Sequence, residues 1–241
     1  MTERPKGPSL LGMEDDGRDL FGLAAHKLNT PIAALRGFIT TLIQRGEQLD
    51  ADTTKQFHGV MLAQTDKLQG MVRDFLALAR VQGGIQPMIH TMRPRDLLIE
   101  LIDDHQADST RVKGSGDLDV KVAGDSELVR MTLRPLVDNA LTYGPRSQPV
   151  VVSVRVGPER VRWEVRDAGT RLSSEQVAQL FRPFTRADSA VERRGSGAGL
   201  GLTLARAYAE ALQGQVGGQV DGDGTVFWVD LPVLKQDDIA G

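Results

Sequence analysis

Two stretches of heptad-like spacing constrain this chain more than any other feature. In the first stretch, from about Asp19, the recurring apolar residues are Phe21, Ala25, Leu28, Ile32, Leu35, Ile39 and Leu42. In the second stretch, with one polar member, they are Phe57, Met61, Gln64, Leu68, Met71, Phe75 and Leu78. Alternating steps of four and three place side chains on one seam of a packed helix. The spacing therefore predicts two long helices.

A break over residues 46–54 separates the two helices, with Asp52 and Thr53 as candidate N-caps of the second. Gly83 and Gly84 are expected to end it. Two helices joined by a short loop form an antiparallel hairpin, which alone buries too little apolar surface to be stable. The pattern predicts a homodimer in which two hairpins form a four-helix bundle.

Beyond Gly84 the pattern changes to mixed helices and strands, so the chain is expected to be α+β overall. The predicted helices cover residues 94–106, 126–143 and 202–212, and the predicted strands cover residues 150–156, 161–166 and 226–231. This half is expected to pack helices on one face of a sheet. The predicted organisation is a flexible tail (1–17), a helical hairpin (18–84), an α/β domain (85–235) and a C-terminal tail (236–241).

His26 falls one residue off the seam that Ala25 and Leu28 define, so its imidazole is expected to face solvent or a partner. Thr30 lies four residues further on the same helical face. Pro31 removes a backbone hydrogen bond beside the histidine, at a cost of roughly 3 kcal/mol in a helix interior. A surface histidine alone is usually a solvated side chain, but this context favours a reactive one. His58, His90 and His105 match no motif and are expected to be structural or solvated.

Several segments after residue 130 have chemistry that suits a nucleotide. The amide oxygen of Asn139, on a predicted helix, can bind Mg²⁺, although a solvated polar residue is an equal alternative. Asp167 at a strand end can accept a hydrogen bond from an exocyclic amine, and Gly169 lets the backbone approach a ring, although Asp-x-Gly is also a common turn. The four glycines of residues 195–202 form a loop before a helix, where N–H groups gather around anionic oxygens.

Composition removes several classes of function. With no cysteine, thiol catalysis, disulfides and thiolate metal sites are excluded. The net charge of -3 gives no reason to expect a nucleic acid partner. No apolar run approaches the roughly 20 residues that cross a bilayer, and the N-terminus lacks the apolar core of a signal peptide. The chain is expected to be cytoplasmic, without a membrane segment.

The segment from His26 to Pro31 resembles the H-box of histidine kinases. The later segments resemble, in order, the N-box (Asn139), G1 (Asp167 and Gly169), the F-box (residues 181–184), G2 (residues 197–201) and G3 (Gly222 and Gly224) of the same family. The resemblance covers roughly residues 19–233. It implies a dimerisation and phosphotransfer hairpin followed by an ATP-binding α/β sandwich of the GHKL (Bergerat) type.

The resemblance also implies roles for single residues. His26 would be phosphorylated from ATP and would pass the phosphoryl group to the receiver domain of a response regulator. Thr30 would position a water for a second activity, dephosphorylation of the regulator, and Asn139 would bind Mg²⁺. The implied nucleotide-binding residues are Asn139, Tyr143, Asp167, Gly169, Phe184, Gly197, Gly199, Leu200, Gly201, Leu202 and Thr225. Independently of the resemblance, the arginines of residues 185–197 stand among small residues, which suits a mobile lid over ATP, although a solvated loop is an equal alternative.

Four residues depart from the family pattern: Lys27 replaces an acid beside the histidine, Pro135 replaces an N-box asparagine, Thr142 replaces a basic residue and Arg171 replaces a G1 glycine. A charged lysine has no lone pair with which to accept a proton. Lys27, Pro135 and Arg171 favour an alternative, a signalling adaptor or a histidine phosphotransferase that does not use ATP, whereas the intact loop of residues 197–202 argues against it. A GHKL-type ATPase or serine kinase is a third possibility, but it leaves His26 and its hairpin unexplained.

Overall fold

The computed structural model describes residues 16–169, 172–185, 199–222 and 224–233, which divide into two compact units after Ala79. Of the predicted 1–17 tail, only Asp16 and Gly17 are described, and they belong to the first helix; the predicted 236–241 tail lies outside the described residues. No described helix is long and apolar enough to cross a membrane.

The first unit contains the two predicted helices, α1 (Asp16–Arg45) and α2 (Ala51–Gln82, whose last residues lie beyond the unit). A 3₁₀ turn (Gly46–Gln48) joins them. Within the hairpin, the rings of Phe38 and Phe57 meet edge to face with centroids 4.9 Å apart. The helical hairpin is confirmed.

The predicted N-caps of α2, Asp52 and Thr53, are wrong by two and three residues, since Asp50 occupies that position. Its Oδ1 accepts a hydrogen bond from the Thr53 amide at 2.7 Å, and its Oδ2 accepts one from the Thr53 hydroxyl at 3.1 Å. Asp52 and Thr53 lie in the first turn instead. The helix starts earlier because the Asp50 carboxylate satisfies an amide that the first turn leaves without a partner.

The predicted seam of α1 is only partly correct. Ile32 and Ile39 are 49% and 47% exposed, whereas Phe38 faces α2. The buried or half-buried apolar positions of α1 are Ala24, Leu28, Pro31, Ala34, Leu35, Phe38 and Leu42. The apolar stripe is therefore wider than one seam, and a single partner helix cannot cover it.

The second unit is a sheet with helices on one face. Its helices are α3 (Pro94–Asp104), α4 (Ser126–Tyr143), α5 (Ser174–Gln179) and α6 (Gly201–Ala211). Its strands are β1 (His90–Met92), β2 (Val112–Gly116), β3 (Val122–Gly124), β4 (Val150–Val156), β5 (Arg160–Asp167), β6 (Gln215–Asp221) and β7 (Gly224–Pro232). The main sheet has the order β2-β4-β5-β7-β6, in which only the β2–β4 pair is parallel, and β1 pairs with β3 separately.

Alternating residues of the central strands point toward α4 and α6 and form the core. Trp163, Val165, Phe227 and Val229 are fully buried there, as are Leu133, Leu136 and Val137 of α4. The sheet thus positions the ends of β5 and β7 beside the C-terminal end of α4, where the predicted nucleotide residues lie. The α+β fold is confirmed.

Candidate active site

His26 lies on the surface of α1. Its side chain is exposed, and its carbonyl oxygen accepts a hydrogen bond from the Thr30 hydroxyl at 3.3 Å. Because proline has no N–H, Pro31 leaves the Lys27 carbonyl without its usual helical donor. The predicted accessibility of His26 is therefore confirmed, and the helix around it has fewer backbone hydrogen bonds than a regular one.

Asp167 is the most unusual ionisable group of the second unit. It ends β5, is only 5% exposed, and its Oδ1 accepts a hydrogen bond from the Gly169 amide at 2.7 Å. Burial raises the pKa of this carboxyl to about 6, although the Gly169 hydrogen bond opposes the shift. Among the described residues, none donates to Oδ2. An oxygen of a largely buried carboxylate that has no protein donor among these residues is suited to accept a hydrogen bond from a ligand amine.

Glycines allow three chain segments to meet at Asp167. A Cβ on Gly169 would overlap Asp167 Oδ1 and lie 3.0 Å from the Gly144 Cα, and one on Gly224 would overlap the Asp167 carbonyl. Thr225 is buried and pairs with Asp167 in the β5–β7 register. The structure therefore brings Asp167, Gly169 and Thr225 together.

The C-terminal half of α4 completes this region. Asn139 and Tyr143 are half-buried. Within the described part of the chain, the side-chain amide of Asn139 has no hydrogen-bond partner. Gly144, which the sequence did not single out, ends α4 with a close approach: a Cβ there would lie 2.5 Å from the Ala140 carbonyl and 3.2 Å from Asp167 Cβ. The Tyr-Gly-Pro sequence after the predicted helix is the signal that indicates this turn.

The loop before α6 is partly described. Gly199 has φ +80°, and its carbonyl accepts a hydrogen bond from the Phe184 amide at 2.9 Å. A Cβ on Gly199 would lie 3.0 Å from the Phe184 backbone, so both contact and conformation require glycine. Gly197, Arg171 and the arginines of the predicted lid lie outside the described residues.

Gly201 begins α6, whose first turn has no side-chain cap. Leu200 and Leu202 are 0% and 8% exposed and Phe184 is 7% exposed, so these residues offer mainly backbone groups to a ligand. The free N–H groups and positive end of this 11-residue helix suit an anionic group. Pro135 lies against this turn, since a Cβ on Gly201 would be 3.4 Å from Pro135 Cβ.

In the described ranges, no group of three or more His, Cys, Asp or Glu side chains is arranged to hold a metal ion. Asn139 offers one neutral oxygen, which fits a Mg²⁺ ion that keeps most of its ligands as water and phosphate oxygens. The donor set thus fits a metal that arrives with a nucleotide.

Two family models match the chain, one over its N-terminal part and one over its C-terminal part. Residues 18–84 match the His Kinase A (phospho-acceptor) domain, and residues 124–235 match the histidine kinase-, DNA gyrase B-, and HSP90-like ATPase. The sensor-like histidine kinase SenX3 of Mycobacterium tuberculosis is 29% identical over 228 residues, which are 92% of this chain and 55% of the relative. The sensor histidine kinase WalK of Bacillus subtilis is 25% identical over 93% of this chain and 38% of its own length.

Solved structures agree in fold. The histidine kinase AdeS of Acinetobacter baumannii has a TM-score of 0.68 at 21% identity, covering 87% of this chain and 98% of that one. The histidine kinase ThkA, solved in complex with the response regulator protein TrrA, has a TM-score of 0.72 at 18% identity, covering 90% and 61%. The chain spans about half the length of the curated SenX3 relatives that it matches. With a phospho-acceptor domain and an ATPase domain in order, the chain belongs to the sensor histidine kinase family, of which it holds the catalytic core.

Proposed function

We propose that this chain transfers the γ-phosphoryl group of ATP to His26 and then to an aspartate of a response regulator. The observation that carries the proposal is the exposed His26 on a phospho-acceptor hairpin, in the same chain as an ATPase domain with a buried, incompletely paired Asp167. We also propose the domain limits 18–84 and 85–235.

In the proposed site, Asp167 Oδ2 accepts a hydrogen bond from the adenine amine, and Gly169 lets the backbone lie against the ring. Tyr143, Phe184 and Thr225 border the nucleotide. The loop of Gly197, Gly199 and Gly201, with the backbone of Leu200 and Leu202, holds the phosphates at the start of α6. This assignment is supported by the unsatisfied helix amides and by the half-buried, unpaired Asn139 amide among the described residues.

Asn139 would hold Mg²⁺ together with the phosphates. When bound, Mg²⁺ neutralises charge that develops on the phosphate oxygens. The Asn139 side chain contributes an oxygen ligand without adding a negative charge beside the triphosphate, which a carboxylate at this position would add.

The chemical step is an in-line attack by a ring nitrogen of His26 on the γ-phosphorus. An N–P bond forms, the P–O bond to the β-phosphate breaks and ADP leaves. The imidazole must lose its ring proton, and because the Lys27 ammonium cannot accept it, water takes it. In the second step the N–P bond breaks as a regulator carboxylate forms an acyl phosphate.

We propose a response regulator and a second copy of this chain as partners. ThkA, which shares the fold, was solved in complex with a response regulator protein, and the exposed Ile32 and Ile39 supply an apolar face for a second hairpin. Thr30, one turn from His26, would position a water that dephosphorylates the regulator. Because the reaction consumes ATP, we place it in the cytoplasm.

The test is transfer of labelled γ-phosphate from Mg-ATP to the purified protein, beside His26→Gln and Asn139→Ala. We expect acid-labile, base-stable label on the wild type and on neither variant. His58→Gln, which changes another exposed histidine of the hairpin, is the matched control and should be labelled normally. An unlabelled wild type would contradict the proposal and favour an adaptor or a phosphotransferase that is supplied by a regulator.

A further inference from the structure

His105 lies where two acceptors meet. It follows the last residue of α3, and its side chain is only 9% exposed. Its Nδ1 lies 2.6 Å from the Leu101 carbonyl oxygen, and its Nε2 lies 2.9 Å from Asp138 Oδ1 on α4. A carbonyl and a carboxylate only accept hydrogen bonds, so both ring nitrogens must carry a proton to satisfy both contacts. The geometry fits an imidazolium.

Pro135 gives that contact a particular importance. A proline inside a helix removes the hydrogen bond to the carbonyl four residues earlier, here that of Met131. The half of α4 after Pro135, which carries Asp138 and Asn139, is therefore joined less firmly to the half before it. Side-chain contacts from outside the helix must supply part of the missing constraint.

Among the described residues, two side chains outside α4 form hydrogen bonds with this second half or with the residues just after it. Arg111 donates to the Leu141 carbonyl at 3.3 Å and to the Pro145 carbonyl at 3.1 Å. His105 is the other, through Asp138. Arginine stays charged at every physiological pH, whereas histidine does not. Of these two contacts, only the one from His105 changes near neutral pH.

We propose that His105 is a positioning residue for Asn139: as an imidazolium it holds the second half of α4 in place, and it releases that half as the pH rises. The proposal rests on the proposed function in one respect, which is that Asn139 binds the Mg²⁺ that accompanies the nucleotide. It gives the N-box of this chain a dependence on pH that comes from outside the nucleotide site.

The charges around His105 favour the protonated ring. The hydrogen bond to Asp138 is the largest cause that raises the pKa of His105 above 6.5; burial and the positive charge of Arg134 on α4 oppose it. Asp104 on α3 is paired with Arg130, and Asp108 in the following turn is paired with Arg111. A histidine whose pKa is raised in the fold stabilises fully below pH 6.5, and the contribution is lost as the pH rises through the folded value.

The first test needs no activity. Histidine ring NMR on the full chain should show both nitrogens of His105 protonated at pH 6.5, with a pKa that Asp138→Asn lowers. Hydrogen exchange of the amides in residues 136–143 should be faster in His105→Gln than in the wild type at pH 6.5, and equal at pH 9, while residues 126–134 do not change. A neutral His105 at pH 6.5, or equal exchange at both pH values, would overturn the proposal.

The second test connects His105 to the nucleotide. Between pH 6.5 and pH 9 we expect the Kd for Mg-ATP to rise about fivefold in the wild type, the lower end of usual couplings between sites. It should stay constant in His105→Gln and follow the wild type in His58→Gln. Pro135→Ala, which restores the backbone donor, should reduce the effect of His105→Gln. Equal pH profiles in all variants would overturn the positioning role, whereas no Mg-ATP binding in any of them would overturn the proposed function and leave the exchange measurement to decide on His105.

Discussion

At the scale of single residues, the role proposed for Asp167 imposes two opposing requirements. Recognition of an amine needs an ionised carboxylate that water does not reach, but removal from water disfavours ionisation. The Gly169 amide offsets only part of the penalty, and the pKa remains at about 6. Asp167 therefore titrates within a pH range that an enzyme assay can cover.

We expect nucleotide binding to weaken below pH 6, because a proton on Asp167 Oδ2 would make this oxygen a donor where the proposed contact needs an acceptor. The Kd for Mg-ATP should rise by about tenfold per pH unit once the carboxyl is mostly protonated. Isothermal titration between pH 5 and pH 7.5 measures this. Asp167→Asn should bind weakly without that pH dependence, and an equally steep loss in the variant would assign the titration to another group.

The same carboxyl predicts a change in stability. Its pKa is higher in the fold than the ordinary value of 3.8, so the folded protein binds the proton more tightly and loses stability as the pH rises toward 6. At pH 7 Asp167→Asn should therefore raise the thermal midpoint, by about 2–4 °C for each kcal/mol recovered. At pH 4 the two proteins should differ less.

Lys27 is the other residue with a predicted effect of its own. A carboxylate there can accept the ring proton of His26, and general base catalysis typically contributes about 10²–10⁴-fold. We expect Lys27→Glu to raise the initial rate of His26 phosphorylation about tenfold or more. Lys27→Met removes the charge without adding a base, so an equal gain in that variant would attribute the effect to charge alone.

At the scale of elements, the start of α2 depends on Asp50. Both hydrogen bonds to this carboxylate come from Thr53, and the bond from its amide is the main reason that the pKa of Asp50 is lowered. A lowered carboxyl pKa stabilises the fold above about pH 4, and that contribution is lost as the pH falls through the folded value. We expect Asp50→Ala to lower the thermal midpoint by about 3 °C at pH 7. Asp52→Ala, two residues further on in the first turn of α2, should have a much smaller effect.

The central strands and all helices except the short α5 could be predicted from the sequence because their apolar residues are periodic. The edge strands could not. β6 contains Gly217 and Gly218, which weaken a strand pattern; they are needed because a Cβ on Gly217 would overlap the Trp228 ring and one on Gly218 would lie 2.6 Å from Val177. β2 likewise holds Gly114 against Leu98. These glycines are required by close contacts with residues that are distant in sequence, and a local sequence pattern cannot reveal such contacts.

The same distinction applies to the site. The order of the boxes predicted Asp167, Gly169 and Asn139, and the structure places Asp167 and Gly169 together at the end of α4. The roles of Gly144 and His105 depend on contacts with residues 23 and 33 positions away, Asp167 and Asp138. No spacing in the sequence indicates such pairs.

At the scale of the whole molecule, the apolar stripe of α1 predicts association. Ile32 and Ile39 lie seven residues apart, with about half of each side chain exposed, so both can pack against a second hairpin. Ile39→Glu should shift the protein toward monomers in sedimentation velocity, because it would place a charge in that interface. Gln44→Glu, at another exposed position of α1, is the matched control. A dimer of unchanged stability in Ile39→Glu would place the interface elsewhere.

The hydrogen bond between the Phe184 amide and the Gly199 carbonyl brings together two points that are 15 residues apart in sequence. The two ends of the intervening segment are therefore held at one place, independently of the length of the segment. Doubling the length of such a closed segment costs only about 0.6 kcal/mol of closure entropy. We therefore expect the segment between Phe184 and Gly199 to tolerate insertions and deletions. Its length can differ among relatives while the sheet and α6 stay the same.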